Sequence, residues 1–200
     1  MKKYVICRKK DWNQVEEAEI CEKMRPFDAD ITASAKVCYD DENLYVRLCA
    51  KEKDIRAELC GEWDMVCRDS CLEFFFSPDP ASERYFNIEM NPNGSFFLGL
   101  GKSPSDCVRL SPLDKKRYGF KAVSERTEDG WRVTYSVPYV LIRLFFPEWK
   151  PYAGLKIRGN FYKCGDCCKE PHYLSWNPVI VQPGGGSFHY TPCFGEFEFA

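Results

Sequence analysis

The chain has 200 residues, of which 44% are hydrophobic and 29% are charged, and its formal net charge is −2. This composition excludes a disordered chain, and the mixing of acidic and basic residues excludes the strongly basic surface that nucleic-acid binding requires. The N-terminal apolar run, residues 4–7, is too short for a secretory signal, and no later run is long enough to span a bilayer, so we expect a soluble, cytoplasmic protein without a membrane partner.

Hydrophobic and polar residues alternate with a period of two along most of the chain, which indicates β-strands. Asn93-Gly94 lies at the junction of the segments at 84–91 and 94–100 and favours a tight turn, because glycine accepts positive φ. Residues 128–130 predict a similar turn between the segments at 118–126 and 131–138. The predicted strands are 31–40, 44–50, 70–78, 84–91, 94–100, 118–126, 131–138, 154–163 and 195–200.

Helical periodicity is scarce, and residues 139–145, which follow Pro138, are the best candidate for a helix. The glycine run at 184–186 predicts a loop within the domain, because strand-like sequence resumes after it. About nine or ten short strands separated by turns predict an all-β fold with little helix. We expect one domain over residues 1–200, a single antiparallel β-sandwich of the jelly-roll or immunoglobulin-like type.

A cluster of cysteines and a histidine between residues 164 and 172 has the spacing of half a zinc site. It supplies three candidate metal ligands, Cys164, Cys167 and His172, and a closed site needs a fourth from Cys168, Cys67 or Cys71. The alternative is a loop of reduced thiols, since the chain has twelve cysteines and several fall inside apolar strands, where a thiol acts as a small hydrophobe. A metal-stabilised interaction domain is therefore one functional hypothesis.

Two strand carboxylates, Glu73 and Glu89, suggest a second hypothesis, because paired carboxylates cleave glycosidic bonds. Carboxylates on strands also pair with arginine or lysine, or accept hydrogen bonds, without any catalytic role. The sequence contains none of the short catalytic motifs for a serine nucleophile, a zinc protease or a phosphate loop. An enzyme is the less favoured interpretation.

Several segments together resemble the family 9 carbohydrate-binding modules, in particular the stand-alone bacterial members. They extend from about residue 32 onward and are 67–78, 84–94, 131–138, 159–166, 172–178 and 188–199. The resemblance implies a β-sandwich that binds a mono- or oligosaccharide, performs no chemistry itself and serves glycan catabolism and polysaccharide degradation through an associated enzyme. It also makes residues 160–166 an ordinary strand and loop rather than a metal site.

Members of this family hold a sugar between two aromatic side chains, and polar side chains form hydrogen bonds with its hydroxyl groups. By this resemblance one aromatic position is Phe188 and the other is Cys67, where a thiol replaces the ring, with Trp63 as a substitute from four residues earlier. The polar contacts fall on Glu73, Asn87, Glu89 and His189. An apolar pyranose face and its directional hydroxyls fit such a site.

Calcium is the only cofactor that the resemblance implies. Its candidate ligands are the loop carboxylates of Asp28, Asp30 and Asp69. The sequence indicates no other cofactor.

Overall fold

The computed structural model of the protein describes residues 1–111, 116–180 and 186–200. Two residues of the predicted glycine loop, 184 and 185, lie outside these ranges. The described strands are β1 (Lys3–Arg8), β2 (Ala18–Ile20), β3 (Glu22–Lys23), β4 (Thr32–Tyr39), β5 (Asn43–Lys51), β6 (Cys71–Ser77), β7 (Tyr85–Met90), β8 (Phe96–Ser103), β9 (Asp106–Arg109), β10 (Lys121–Arg126), β11 (Gly130–Pro138), β12 (Lys156–Gly165), β13 (His172–Ser175) and β14 (Gly195–Phe199).

Helix is sparse, as the sequence predicts. An α-helix, α1 (Tyr139–Arg143), follows Pro138 at the predicted place and ends two residues before the predicted boundary. Three single-turn 3-10 helices cover Trp12–Gln14, Val66–Arg68 and Thr191–Cys193. Within the described parts of the chain, no helix combines the length and the apolar character needed to cross a membrane.

The strands form one curled, mixed sheet in the order β10-β11-β5-β4-β1-β14-β12-β6-β7-β8-β9. Strand β1 joins the two halves, because its first residues pair in parallel with β14 and its last two pair in parallel with β4. The remaining pairings are antiparallel, including β6 with β7 and β7 with β8. Side chains from both halves share one hydrophobic core, which is consistent with a β-sandwich.

The all-β prediction is therefore confirmed, but two of its details are wrong. The structure has 14 strands in its described residues rather than nine or ten, and the pairing is not exclusively antiparallel. All nine predicted segments contain strands, whereas β1, β2, β3, β9 and β13 were not predicted. These five are only two to six residues long, so they show too little alternation to be recognised.

Strand β6 is buried along its whole length, which is the feature of the fold that positions the site. Leu72, Phe74 and Phe76 face the shared core, whereas Cys71 and Phe75 face outward into a second apolar cluster. We call this outward group the outer cluster; its other members are Val66, Tyr85, Tyr162, Cys164, Val179, Phe188 and Phe194. Loops folded over the outer face of β6, β7 and β12 therefore enclose a second layer beside the sandwich.

Candidate functional site

A hollow of about 230 Å³ opens on the outer face of the sheet, over β7, β8 and β9. Three alternate residues of β7 point into it, because successive side chains of a strand face opposite sides. Strand β8 places Gly101 opposite one of them and Gly99 opposite the next, so it offers no side chain at either position. The side chains that line the hollow include Tyr85, Asn87, Glu89, Phe97, Arg109 and His189.

Two oxygen atoms in this hollow lack hydrogen-bond partners. The Asn87 amide donates from Nδ2 to Oε1 of Glu89 at 2.9 Å, but Oδ1 of Asn87 and Oε2 of Glu89 have no partner among the described residues. Both side chains are nearly enclosed, with exposures of 4% and 6%. A buried acceptor left unpaired costs about 1–3 kcal/mol. The pair is therefore suited to a ligand that brings hydroxyl donors.

The carboxyl groups of Glu73 and Glu89 are cross-strand neighbours in the β6–β7 pairing. Burial raises the pKa of both, and for Glu73 the nearby carboxylate of Glu89 raises it further. Only Glu89 reaches the hollow. Glu73 is 2% exposed and accepts a hydrogen bond from the Cys164 thiol at 3.0 Å. The two carboxyls consequently have different surroundings, one beside the hollow and one enclosed in protein.

Arg109, at the end of β9, fixes the rim of the hollow. Its guanidinium donates to the backbone carbonyls of Glu62, Trp63 and Asp64 at 2.8–3.1 Å. It also lies 4.7 Å from the ring centre of Phe97 and 5.1 Å from that of Trp63. The loop at 62–64 is thus held beside the hollow, and the exposed ring of Trp63 stands at the rim.

His189 closes the opposite side. Its Nδ1 lies 2.6 Å from the hydroxyl of Tyr85, and its ring packs 5.0 Å from that of Phe75. Burial lowers the pKa of His189 to about 4, so the imidazole is neutral at physiological pH. A neutral imidazole can accept or donate a hydrogen bond according to its tautomer.

Three of the seven predicted sugar-binding residues, Asn87, Glu89 and His189, line this hollow. Phe188 does not line this hollow. Its ring is only 8% exposed and stacks on Tyr162, with 4.0 Å between ring centres and 12° between planes. Its backbone carbonyl also accepts a hydrogen bond from the Tyr162 hydroxyl. The C-terminal segment folds back over β12, so residue 188 covers the sheet and residue 189 reaches the hollow.

The remaining predicted contacts lie around the hollow rather than inside it. Glu73 is enclosed behind Glu89, as described above. Cys67, on the short 3-10 helix Val66–Arg68, packs against the outer cluster. Trp63 is 56% exposed and reaches the rim through its contact with Arg109. Glu73 is thus separated from a ligand in the hollow, whereas Cys67 is half-buried beside it.

The predicted metal ligands Cys164, Cys167 and His172 are not brought together. His172 is paired in register with Gly165, so it faces the side of the sheet opposite to Cys164. Both of its ring nitrogens have partners, Nε2 at 2.7 Å from Nζ of Lys163 and Nδ1 at 2.9 Å from the carbonyl of Glu170. Cys167 is exposed. These three residues therefore do not form one metal site among the described residues, because sequence spacing does not show which face a strand residue occupies.

The candidate calcium ligands do not fit a calcium ion. Oδ2 of Asp69 accepts hydrogen bonds from the backbone of Glu58 and Leu59, and its Oδ1 lies 3.3 Å from Nε of Arg56. Asp28 and Asp30 are exposed on a different loop. Asp69 therefore serves to fold the segment that leads to the rim of the hollow.

Sequence reasoning missed Tyr85, Phe97 and Arg109. One signal was present, since Gly99 and Gly101 alternate with Leu98 and Leu100 and leave one face of β8 without side chains. A Cβ atom at Gly99 would come within 2.6 Å of Sγ of Cys107, so the glycine also allows β9 to approach closely. Alternating glycines opposite alternating polar residues indicate a hollow on that face.

Comparison with known proteins gives one family and several structures. Residues 9–199 match the family described as Carbohydrate-binding family 9. A putative carbohydrate-binding protein from Bacteroides uniformis ATCC 8492 is similar in structure, with a TM-score of 0.80 and 24% identity over 98% of this chain and 99% of that one. No curated protein matches the sequence.

Two similar structures come from Caldicellulosiruptor kristjanssonii, and both are of a carbohydrate binding module of family 9. The complex with glucose has a TM-score of 0.68 and 14% identity, covering 100% of this chain and 96% of that one. The complex with cellotriose has a TM-score of 0.67 and 15% identity, covering 99% and 93%. At these sequence identities the structural similarity supports the fold alone. The match over residues 9–199 supports the family assignment.

Proposed function

We propose, because the chain belongs to carbohydrate-binding family 9, that it binds a mono- or oligosaccharide in the hollow over β7, β8 and β9 and does not cleave it. The family match over residues 9–199 supports the ligand class, as do the similar structures with bound glucose and cellotriose.

The unpartnered oxygens of Asn87 and Glu89 carry this proposal. A sugar hydroxyl is both a donor and an acceptor, so adjacent hydroxyls can donate to these two atoms. Neutral His189 and the Tyr85 hydroxyl offer further hydrogen bonds at the opposite wall. Ligand binding would then satisfy buried groups that the protein leaves unsatisfied, which is a source of affinity for hydroxylated ligands over apolar ones.

Aromatic side chains supply the apolar part of the site. Phe97 lines the hollow and Trp63 stands exposed at its rim, with Arg109 between the two rings. A pyranose has an apolar C–H face that packs on such rings, while its edge carries the hydroxyls. The pair that we propose for stacking is therefore Phe97 and Trp63, in place of Phe188 and Cys67.

The placement of the carboxyl groups supports binding without cleavage. A glycoside hydrolase of the usual kind needs two carboxyl groups that both flank the scissile bond. Here Glu89 lines the hollow, whereas Glu73 is enclosed behind it and hydrogen-bonded to a thiol. We expect no release of sugar from aryl glycosides or cellotriose by the purified protein.

Isothermal titration calorimetry with glucose and cellotriose tests the proposal. Asn87→Leu removes one orphaned acceptor and the amide that orients Glu89, and we expect affinity to fall about tenfold, by the energy of about one hydrogen bond. Asn13→Leu, an exposed asparagine outside the hollow, is the matched control and should bind as the parent does. The absence of a response to either sugar and to a glycan array at millimolar concentration would contradict the proposal.

A further inference from the structure

A group of two thiols and a carboxyl group is buried behind the hollow, between β6 and β12. Sγ of Cys71, Sγ of Cys164 and a carboxylate oxygen of Glu73 all lie within 4.8 Å of one another. Cys71 and Cys164 are directly paired in the β6–β12 register, and Glu73 follows Cys71 by two residues on the same face. No other set of three such ligand atoms converges in the described residues.

The charge balance of this group is incomplete. All three side chains are acidic, and the carboxyl of Glu89 lies opposite Glu73 on the next strand. Within the described ranges Glu73 forms no ion pair with a lysine, arginine or histidine, and it accepts a hydrogen bond from the Cys164 thiol at 3.0 Å. A metal ion bound among these three side chains would take the place of their protons.

We infer that Cys71, Glu73 and Cys164 form a binding site for a thiophilic divalent cation, of which Zn²⁺ is the biological representative. Zinc takes thiolate sulfur at about 2.3 Å and carboxylate oxygen at about 2.0–2.2 Å in a tetrahedral arrangement. The three ligand atoms lie within 4.8 Å of one another, and Sγ of Cys164 is 3.0 Å from Oε1 of Glu73. Small side-chain rotations would bring them to these bond lengths. Calcium and magnesium are excluded as natural occupants, because they select oxygen ligands only.

The neighbouring segment leaves room for a fourth ligand. Cys67 precedes Cys71 by four residues, its backbone carbonyl lies 3.8 Å from Sγ of Cys164, and its side chain packs against the same outer cluster. The Cys67 thiol is not one of the three convergent ligand atoms, so the fourth tetrahedral position would be taken by Cys67 after a side-chain rotation, or by water. Such an ion would join β6 to β12 beneath the hollow. This inference is independent of carbohydrate binding.

Metal titration of the untagged full chain tests the inference. The protein is purified in the reductant TCEP, stripped with EDTA and titrated with Co²⁺, whose thiolate charge-transfer absorption reports sulfur ligation, and Zn²⁺ is then added to displace it. We expect one ion per chain by native mass spectrometry. Cys71→Ser and Cys164→Ser should each weaken binding at least tenfold. The exposed cysteines supply matched controls, Cys21→Ser and Cys167→Ser, which should bind metal as the parent does.

Three results would overturn the inference: no stoichiometric metal on the parent protein, unchanged affinity in both buried variants, or loss of metal in the controls. If the serine variants fail to fold, Glu73→Gln gives the decisive measurement, because it preserves shape while removing the anionic ligand. We expect Glu73→Gln to weaken Co²⁺ and Zn²⁺ binding at least tenfold. An unchanged affinity would show that these residues do not bind the metal.

Discussion

Two groups of buried polar side chains lie on opposite faces of the sheet, and they differ in how well they are satisfied. On one side Glu52 accepts hydrogen bonds from the Trp131 indole at 2.6 Å and the Ser70 hydroxyl at 3.1 Å, and it pairs with Lys163 at 3.2 Å. On the other side Asn87 and Glu89 bond to each other and leave two oxygens unpaired. Satisfied buried groups are typical of a structural role, and unsatisfied ones that border a hollow are candidates for ligand binding.

Lys163 is the centre of the satisfied group. Its ammonium has three hydrogens and three acceptors: Glu52, Nε2 of His172 at 2.7 Å and the carbonyl of Cys164 at 2.9 Å. Burial and the adjacent ammonium lower the pKa of His172, which keeps that imidazole neutral and able to accept. A larger hollow of about 700 Å³ borders Glu52, yet the carboxylate is already fully engaged. Size alone therefore does not identify the ligand site.

The largest expected effect comes from breaking the satisfied group. Lys163→Met leaves Glu52 as an unpaired buried charge, and we expect the free energy of unfolding to fall by about 3–5 kcal/mol. Urea denaturation followed by circular dichroism measures this. Lys51→Met, which removes an exposed ion pair with Asp129, is the matched control and should cost far less stability, because solvent screens that pair. Equal losses in the two variants would contradict the structural role of Lys163.

Phe188→Ala is expected to have the next largest effect, and on stability rather than on sugar contacts. The ring stacks on Tyr162 within the outer cluster, so its loss should lower the free energy of unfolding by about 3 kcal/mol. Under conditions where the variant remains folded, its sugar affinity should be close to that of the parent. Complete loss of binding in a folded, equally stable variant would restore Phe188 as a sugar platform.

The polar lining of the hollow was predictable from sequence, whereas the aromatic residues beside it were not. Alternation along β7 places Asn87 and Glu89 on one face, and the family resemblance pointed to His189, which reaches the hollow from the C-terminal loop. Phe188 and Cys67 lie outside the lining, on loop or single-turn segments whose path depends on tertiary packing. The strands themselves follow from local alternation, and the loops that cover them do not.

The pairing of β1 shows the same limit at the level of the fold. Its six residues carry only a brief alternation, and nothing in them specifies parallel partners at opposite ends of the chain. The cluster of Cys71, Glu73 and Cys164 is a similar case. Cys71 and Cys164 are 93 residues apart and become neighbours only through the β6–β12 register. Contacts between residues far apart in sequence can be predicted only when the strand topology is known. The pattern of residues indicates the fold class but not that topology.

Glu89→Gln should affect sugar affinity rather than stability, which is the opposite of what we expect for a substitution in the satisfied group. The substitution removes a buried carboxyl with an unpaired oxygen, so we expect little change or a gain in stability, together with at least a tenfold loss of sugar affinity, or about 1.4 kcal/mol. Calorimetry and urea denaturation on the same preparation separate the two effects. Glu52→Gln is the mirror experiment, in which stability should fall and affinity should persist. Identical outcomes for both carboxyls would remove the distinction between the two groups.

Trp63→Ala is expected to give the smallest effect and tests the rim alone. The ring is exposed and lies against the Arg109 guanidinium, a contact worth about 0.5–1 kcal/mol at an exposed site. We expect stability to fall by no more than that amount, and cellotriose affinity to fall several-fold as a stacking surface is lost. Trp12→Ala is the matched control, because Trp12 makes the same kind of contact with Arg47, 4.5 Å away, on the other half of the sheet. A loss of affinity in Trp12→Ala equal to that in Trp63→Ala would show that the effect is not local, and Trp63 would then have no place in the sugar site.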